Sequence, residues 1–276
     1  MFRNSYDNDP ITYAPTGRLF QVEYALEAIK QGSAAVGLVN SKYAVLVALK
    51  RNTEDLGSYQ KKILRIDDHM GIAIAGLTPD ARVLSSFLRQ QAMASKMRYG
   101  RPLPVIKAAN ASADKAQGKT QYYGRRPYGL GLSIIGVDQT GPHSFEFQPS
   151  GNSLEYLAAA IGARSQAART YFERTNSEFA DASVEELVIH GLTGLRETLP
   201  QDKESNISNT SIAIVGIDKD FELLDNEAVA PWLERLGDTR RTRAPADEPA
   251  DEPPEGPADG PADEPAAEAT ESMDTS

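Results

Sequence analysis

Ala35-Val36-Gly37-Leu38-Val39-Asn40-Ser41-Lys42-Tyr43-Ala44-Val45-Leu46-Val47-Ala48-Leu49 contains two apolar runs, 35–39 and 44–49, around the short polar stretch Asn40-Ser41-Lys42. A connection this short favours an antiparallel hairpin. A second pair follows: Ile63-Leu64-Arg65-Ile66 and Met70-Gly71-Ile72-Ala73-Ile74-Ala75 flank Asp67-Asp68. Further strands are predicted over 128–137, 144–148, 210–217 and 221–224. Helices alternate with these pairs in blocks. Leu19, Val22, Leu26 and Ile29 step by three and four, and Gly32 stands where that helix ends. Thr78-Pro79 starts another, which runs through Leu84, Phe87 and Leu88 toward Met97. A third covers 164–178. Ser183-Val184-Glu185-Glu186 fits a capping box, followed by a broad face of Val184, Leu187, Val188, Leu192, Leu195 and Leu199 before Pro200. This order predicts an α+β fold of packed antiparallel sheets covered by helices.

The chain has 276 residues and a hydrophobic content of 40%, enough to bury a core. No apolar run approaches the roughly 18 residues a membrane helix needs. Met1-Phe2-Arg3-Asn4-Ser5 lacks the charged-then-apolar pattern of a secretory leader. There is no cysteine, which excludes disulfides, thiolate catalysis and cysteine zinc sites. The net charge of -10 belongs to one end. From Ala244 onward there are eleven acids and no Lys or Arg, which leaves 29 bases against 28 acids in the body. Pro-Ala-Asp-Glu-like units recur there, with no aliphatic larger than Ala except Met273. We therefore expect one domain over 1–240 and a disordered acidic Pro/Ala-rich tail over 241–276. The tail serves either as a solubilising segment or as a dock for a basic partner. Nothing resembles the basic face that nucleic acid requires, and neither nucleic acid nor membrane is expected as a partner.

The familiar chemistries are poorly supplied. His69, His143 and His190 are the only histidines, and none pairs at metal-ligand spacing. Gly129-Leu130-Gly131 lacks the third glycine and following helix of a dinucleotide site, and reads better as small residues where another backbone comes close. Asp67-Asp68 sits at a predicted turn, where Asp is common. No cofactor or metal is expected.

One segment is far more specific. Tyr6-Asp7-Asn8-Asp9-Pro10-Ile11-Thr12-Tyr13-Ala14-Pro15-Thr16-Gly17-Arg18-Leu19-Phe20-Gln21-Val22-Glu23-Tyr24-Ala25-Leu26-Glu27-Ala28 resembles the N-terminal signature of the alpha-ring subunits of the eukaryotic proteasome core particle. The likeness continues in Lys30-Gln31-Gly32-Ser33, in Gly76-Leu77-Thr78-Pro79-Asp80-Ala81-Arg82, in Arg126-Pro127-Tyr128-Gly129 and in Ile161-Gly162-Ala163, covering about 6–235. Within the family, Met1-Phe2-Arg3-Asn4, Leu49-Lys50-Arg51, Tyr123-Gly124-Arg125-Arg126 and Leu195-Arg196-Glu197-Thr198-Leu199-Pro200 are similar to the alpha type-1 branch.

The resemblance implies a four-layer αββα sandwich of the N-terminal-nucleophile hydrolase type. It also implies a place in a seven-membered alpha ring, stacked on beta-ring subunits in cytoplasm and nucleus. Such rings control substrate entry and dock regulators for ubiquitin-dependent protein degradation. Catalytic beta relatives use a free N-terminal Thr with an Asp and a Lys. Here Ser33 aligns with the Thr but follows a long extension, Leu49 stands at the Asp position, and Lys62 lies near the Lys position. No catalytic residue is therefore expected, against the alternative of an active N-terminal-nucleophile peptidase. The resemblance assigns Tyr6, Asp7, Pro15 and Tyr24 to a gate, with Pro15 setting a rigid reverse turn and Tyr24 near it. Most members read Tyr-Asp-Arg where this chain has Tyr6-Asp7-Asn8, so the Arg of that gate contact is absent. Gly32, Lys62 and Leu77 match a pocket between adjacent subunits that accepts the C-terminal tails of regulatory-particle ATPases and other activators. There the lysine would pair with the tail's carboxylate. The plainer reading of Lys61-Lys62 is a solvated charge pair before a strand. An apolar stripe on the 19–31 helix implies obligate assembly.

Overall fold

The computed structural model describes residues 6–51, 60–200 and 205–237. The expected acidic tail over 241–276, and the Met1-Phe2-Arg3-Asn4 likeness, lie outside the described residues. β1 (Ala35–Val39) and β2 (Tyr43–Leu49) form the predicted hairpin, with Ala35 opposite Ala48 and Val39 opposite Ala44. Successive side chains point to opposite faces of a strand. Val36, Leu38, Val45 and Val47 join one apolar cluster, while Ala35, Val39, Ala44, Leu46 and Ala48 join another. Both faces are buried, so the hairpin reads as continuous apolar sequence rather than as an alternation.

Two five-stranded sheets are built outward from such pairs. In the first, β8 (Ala158–Ile161) flanks β1, while β9 (Thr210–Gly216) and β10 (Lys219–Asp225) extend from β2. The second runs in sequence order: β3 (Ile63–Asp67), β4 (Met70–Gly76), β5 (Leu130–Asp138), β6 (Gly141–Phe147) and β7 (Ser153–Glu155). Every pairing between them is antiparallel.

The sheets face each other across a layer of small and medium side chains. Ala35, Leu46 and Val215 of the first meet Ile63, Ala73 and Ile135 of the second. Burying a side chain the size of Leu46 contributes about 2 kcal/mol relative to leaving it in water. Their approach is close enough that a Cβ on Gly37 would strike the Ser133 hydroxyl. Outside the sheets lie the helical layers. α2 (Thr78–Tyr99) and α3 (Val105–Gln121) cover the second sheet through Leu84, Leu88, Ala108 and Ala116. α4 (Ser165–Thr175) and α5 (Val184–Glu197) cover the first through Phe172, Leu187, Leu192 and Leu195, joined by the short α6 (Ala230–Leu236). The result is the expected αββα sandwich. α1 (Phe20–Lys30) stands apart from these layers, and its Ile29 enters the cluster between the sheets.

Several elements differ from the sequence expectation, and β7 and α6 have no counterpart in it. α3 buries Val105, Ala108, Ala109, Ser112, Ala113 and Ala116, a face of small residues that gives little signal beside that of α5. β8 is Ala-Ala-Ala-Ile, a composition that favours helix, yet pairing with β1 holds it as a strand. The helix expected over 164–178 ends as α4 at Thr175 and tightens into a 3₁₀ turn, Asn176–Glu178.

α5 begins as its sequence predicts. The Glu186 N–H donates to Ser183 Oγ at 3.3 Å, and the Ser183 N–H donates to the Glu186 carboxylate at 2.8 Å. Ser183→Ala should cost about 1 kcal/mol of local stability, which speeds amide exchange in the first turn of α5 roughly fivefold. Exchange unchanged in those amides would show that the cap contributes nothing there.

Candidate functional site

Ser33 precedes β1 and is 5% exposed. Its hydroxyl donates to the Leu49 carbonyl at 2.6 Å, across the hairpin. Its nitrogen is in peptide linkage to Gly32, so no amine is available beside that hydroxyl. Lys62 lies just before β3 and points inward, with its Nζ donating to the Ser33 carbonyl at 3.1 Å. The ammonium therefore meets the carbonyl of Ser33, while the hydroxyl is committed elsewhere. Leu49 supplies a carbonyl and an aliphatic side chain where a carboxylate would be needed to complete a nucleophile's relay.

Lys62 is 2% exposed, whereas Lys61 is exposed. This corrects the reading of the two as a solvated pair. Desolvation, with a smaller contribution from the nearby Arg51 cation, pushes the Lys62 amine down to about 7. An amine lowered in this way binds fewer protons in the folded chain than in the unfolded one. The stability contribution of Lys62 therefore rises with pH from about 7 toward the ordinary lysine range.

Gly32 and Leu77, expected to line a pocket with Lys62, lie close to one another at the end of β4. A Cβ on Gly32 would strike the backbone nitrogen of Gly76, so the chain leaving α1 lies directly on the end of β4. Leu77 follows Gly76; its N–H donates to the Gly129 carbonyl at 2.8 Å and its side chain is 46% exposed. Asp80, in the first turn of α2, accepts from both terminal guanidinium nitrogens of Arg126 at 2.7 and 2.9 Å, and from the Gly129 N–H at 3.0 Å. Burial raises the Asp80 carboxyl, but these donors outweigh it and hold the group below the usual carboxylate range. Two stretches far apart in sequence, 76–82 and 126–129, are thus tied through one carboxylate. Sequence reasoning quoted both and missed the tie. Arg51 was missed as well: its Nη2 donates to the Gln31 carbonyl at 2.6 Å, beside Gly32.

At the other end of α1 the N-terminal segment folds back. The Tyr24 hydroxyl donates to the Asp7 carboxylate at 3.0 Å, and the Gln21 amide donates to the Asp7 carbonyl. Tyr24, expected near the Pro15 turn, thus has Asp7 as its hydrogen-bond partner, and it stacks on Phe20 with ring centroids 6.3 Å apart. Tyr6 is half-buried beside Asp7, and Asn8 is exposed. The Asp9 carboxylate accepts the Ile11 and Thr12 N–H groups at 2.9 Å each, and those bonds hold it below its usual range. Ala14-Pro15-Thr16-Gly17 forms the expected reverse turn: the Gly17 N–H donates to the Ala14 carbonyl at 2.8 Å, and Gly17 has φ +76°. Pro15 occupies the second position, where its fixed φ suits the turn. Arg18 then pairs with Glu23 on the first turns of α1.

The histidines sit on separate elements with separate partners. His69 bonds the Leu103 carbonyl, His143 bonds Thr140 and Glu155, and His190 bonds the Tyr171 hydroxyl. A cavity of about 440 Å³ opens between Pro102, Val137, Asp138 and Ile217, at the end of β5 away from Gly129 and Leu77.

The family model described as "Proteasome subunit" matches residues 29–215, and the model for the N-terminal signature of A-type proteasome subunits matches residues 6–28. The probable alpha type-6 proteasome subunit of Schizosaccharomyces pombe is 56% identical over 253 residues, 90% of this chain and 93% of that protein. The alpha type-6 proteasome subunit of Saccharomyces cerevisiae is 56% identical over 235 residues, 84% of this chain and 100% of that protein. The alpha type-1 proteasome subunit of Dictyostelium discoideum is 47% identical over 237 residues, 86% of this chain and 96% of that protein. The likeness to the alpha type-1 branch is thus accompanied by a higher identity to two fungal proteins that carry the type-6 name.

Tyr24→Phe removes the donor to Asp7 and keeps the stack on Phe20. A hydrogen bond to a charged acceptor contributes about 1.5–3 kcal/mol where water is excluded, and less at this half-buried site. We expect faster proteolysis of the 6–18 segment and unchanged exchange in β1 and β2. A segment cleaved at the original rate would mean that Tyr24 does not hold it.

Proposed function

Because the chain belongs to the proteasome subunit family and carries its alpha-type N-terminal signature, we propose that it is a non-catalytic member of a seven-membered alpha ring that helps control substrate entry. The observation that carries the non-catalytic reading is the environment of Ser33. A nucleophile of the N-terminal class needs its own α-amine or an equivalent base beside the hydroxyl. Ser33 has a peptide nitrogen instead, its hydroxyl is spent on the Leu49 carbonyl, and Lys62 is bonded to the Ser33 carbonyl. The pure chain should not hydrolyse peptide substrates. Turnover that survives Ser33→Ala would place an active site elsewhere, and turnover abolished by it would restore the peptidase alternative.

The gating reading draws on the way the N-terminal segment is attached. Asp7 is tethered to the helix by Tyr24 and Gln21, and the Pro15 turn joins that segment to α1. A regulator that pushes on the rigid turn would shift the tethered segment as a unit. Pro15→Gly lets the turn absorb the push. In reconstituted particles it should blunt regulator-stimulated peptide hydrolysis several-fold and leave assembly intact. Stimulation equal to that of the unsubstituted particle would remove Pro15 from the gate.

The docking reading places activator C-terminal tails at Gly32, Lys62 and Leu77, which lie together where α1 meets the sandwich. Lys62 supplies the cation and Leu77 an exposed apolar contact. Other alpha subunits and the beta ring would be its assembly partners, in cytoplasm and nucleus. Lys62→Ala should weaken capture of a carboxylate-ended tail by at least tenfold at this site, the scale of a charge-assisted bond. Tail binding undiminished in that particle would argue for a different pocket.

A further inference from the structure

Lys62 sits where an ammonium is poorly served. An ammonium carries three N–H donors, and among the described residues one acceptor, the Ser33 carbonyl, meets it. The Ser33 hydroxyl is donated to Leu49. β4 meets Lys62 through the Ile74 N–H on its backbone carbonyl, and Met70–Gly76 contains no charged residue. On α1, Glu27 and Lys30 pair with each other in solvent. Asp80 of α2 is turned to Arg126, and Asp225 of β10 is turned to Lys50 and Ser211. Among the described residues, the charge acting on Lys62 is a like one, Arg51. The guanidinium holds the Gln31 carbonyl while the amine holds that of Ser33. Two cations thus stand on either side of Gly32, and among the described residues no carboxylate pairs with either.

A buried ammonium short of acceptors and beside another cation is relieved most simply by losing its proton. An arriving carboxylate reverses both conditions, since it brings an opposite charge and two acceptor oxygens. We propose that binding of a carboxylate at Lys62 is coupled to uptake of a proton by its amine, and that Arg51 adds to that uptake. The proposal rests on the reading of Lys62 as the receptor of a tail's terminal carboxylate. The step balances simply: a neutral amine takes one proton from solvent, one N–H bond forms, and the ammonium pairs with the carboxylate.

Arg51 acts in two opposed ways. It attracts the incoming anion, and it adds to the effect of burial in keeping the empty amine from holding its proton. The lowered amine, at about 7, fixes the pH range in which the coupling shows. Above that value each unbound site must first gain a proton, so affinity falls as pH rises. Between about pH 6.5 and about pH 8 the loss should be about eightfold. At about pH 7.5, about three-quarters of a proton should enter with each carboxylate at this site.

The test is calorimetry on assembled core particles, titrated at about pH 7.5 with a short peptide bearing a free terminal carboxylate or its amide, in buffers of different ionisation heat. Comparison of unsubstituted particles with Lys62→Arg particles isolates this site from those of neighbouring subunits. The expected result is that Lys62→Arg still binds the carboxylate peptide while the proton uptake assigned to this site disappears. Arg51→Gln should reduce the uptake in part, because it removes the like charge while the larger effect of burial on Lys62 remains. Equal uptake in Lys62→Arg and unsubstituted particles, with binding retained, overturns the proton coupling and leaves the docking site standing. Lys62→Met particles that distinguish carboxylate from amide as well as the unsubstituted ones overturn the docking site itself. Should Lys62→Arg fail to assemble, Arg51→Gln decides alone, and an unchanged uptake there counts against the proposal.

Discussion

The close approach of the two sheets is the constraint on which the rest of the structure depends. Gly37 faces Ser133 without room for a methyl group, and Ala35, Ala44, Ala48, Ala73 and Ala75 share the surrounding layer with larger side chains such as Leu46, Ile63 and Ile135. Small side chains let the sheets come together, and the sheets then need cover on both outer faces because those faces are apolar too. α2 and α3 on one side and α4 and α5 on the other follow from that requirement. So does the location of the site: strand pairing sets Ser33 beside Leu49 in one sheet and Lys62 near the end of β4 in the other, and the packing of the two sheets brings the pairs together where α1 meets the sandwich.

The same burial gives the site its character. In the cleft of a hydrolase, a serine and a lysine this close would invite a catalytic reading. Here the backbone has claimed both. The serine hydroxyl completes the bonding of the β2 end, and the lysine amine answers a carbonyl left over where α1 gives way to β1. What this edge presents is a lysine and an arginine, each with a backbone carbonyl for a partner.

Much of the fold was legible because its signals are local. The β1–β2 hairpin announces itself by two uninterrupted apolar runs, and α5 by a capping box and a face of large aliphatics. α3 and β8 were obscured by alanine, which reports neither period nor burial clearly, so their states were decided by the sheets they pack on or pair with. The site was legible chiefly through resemblance. Lys61 and Lys62 are identical in type and adjacent, and only the strand that follows turns one outward and the other in. Tyr24 with Asp7, and Asp80 with Arg126, are partners separated by 17 and 46 residues, and no local pattern connects them. Arg51 entered the sequence reading only within the Leu49-Lys50-Arg51 likeness, because its contact depends on the helix end it touches.

Gly32 lies flat on Gly76, backbone against backbone, at the point where α1 meets the sandwich. A single added carbon at Gly32 would act as a shim between the two. The helix carries the Asp7 tether at one end and the Lys62 site at the other, so its seating height is common to both. Two hydrogens in place of side chains therefore work as a mechanical datum, a zero mark from which the positions of the two ends of the helix are measured.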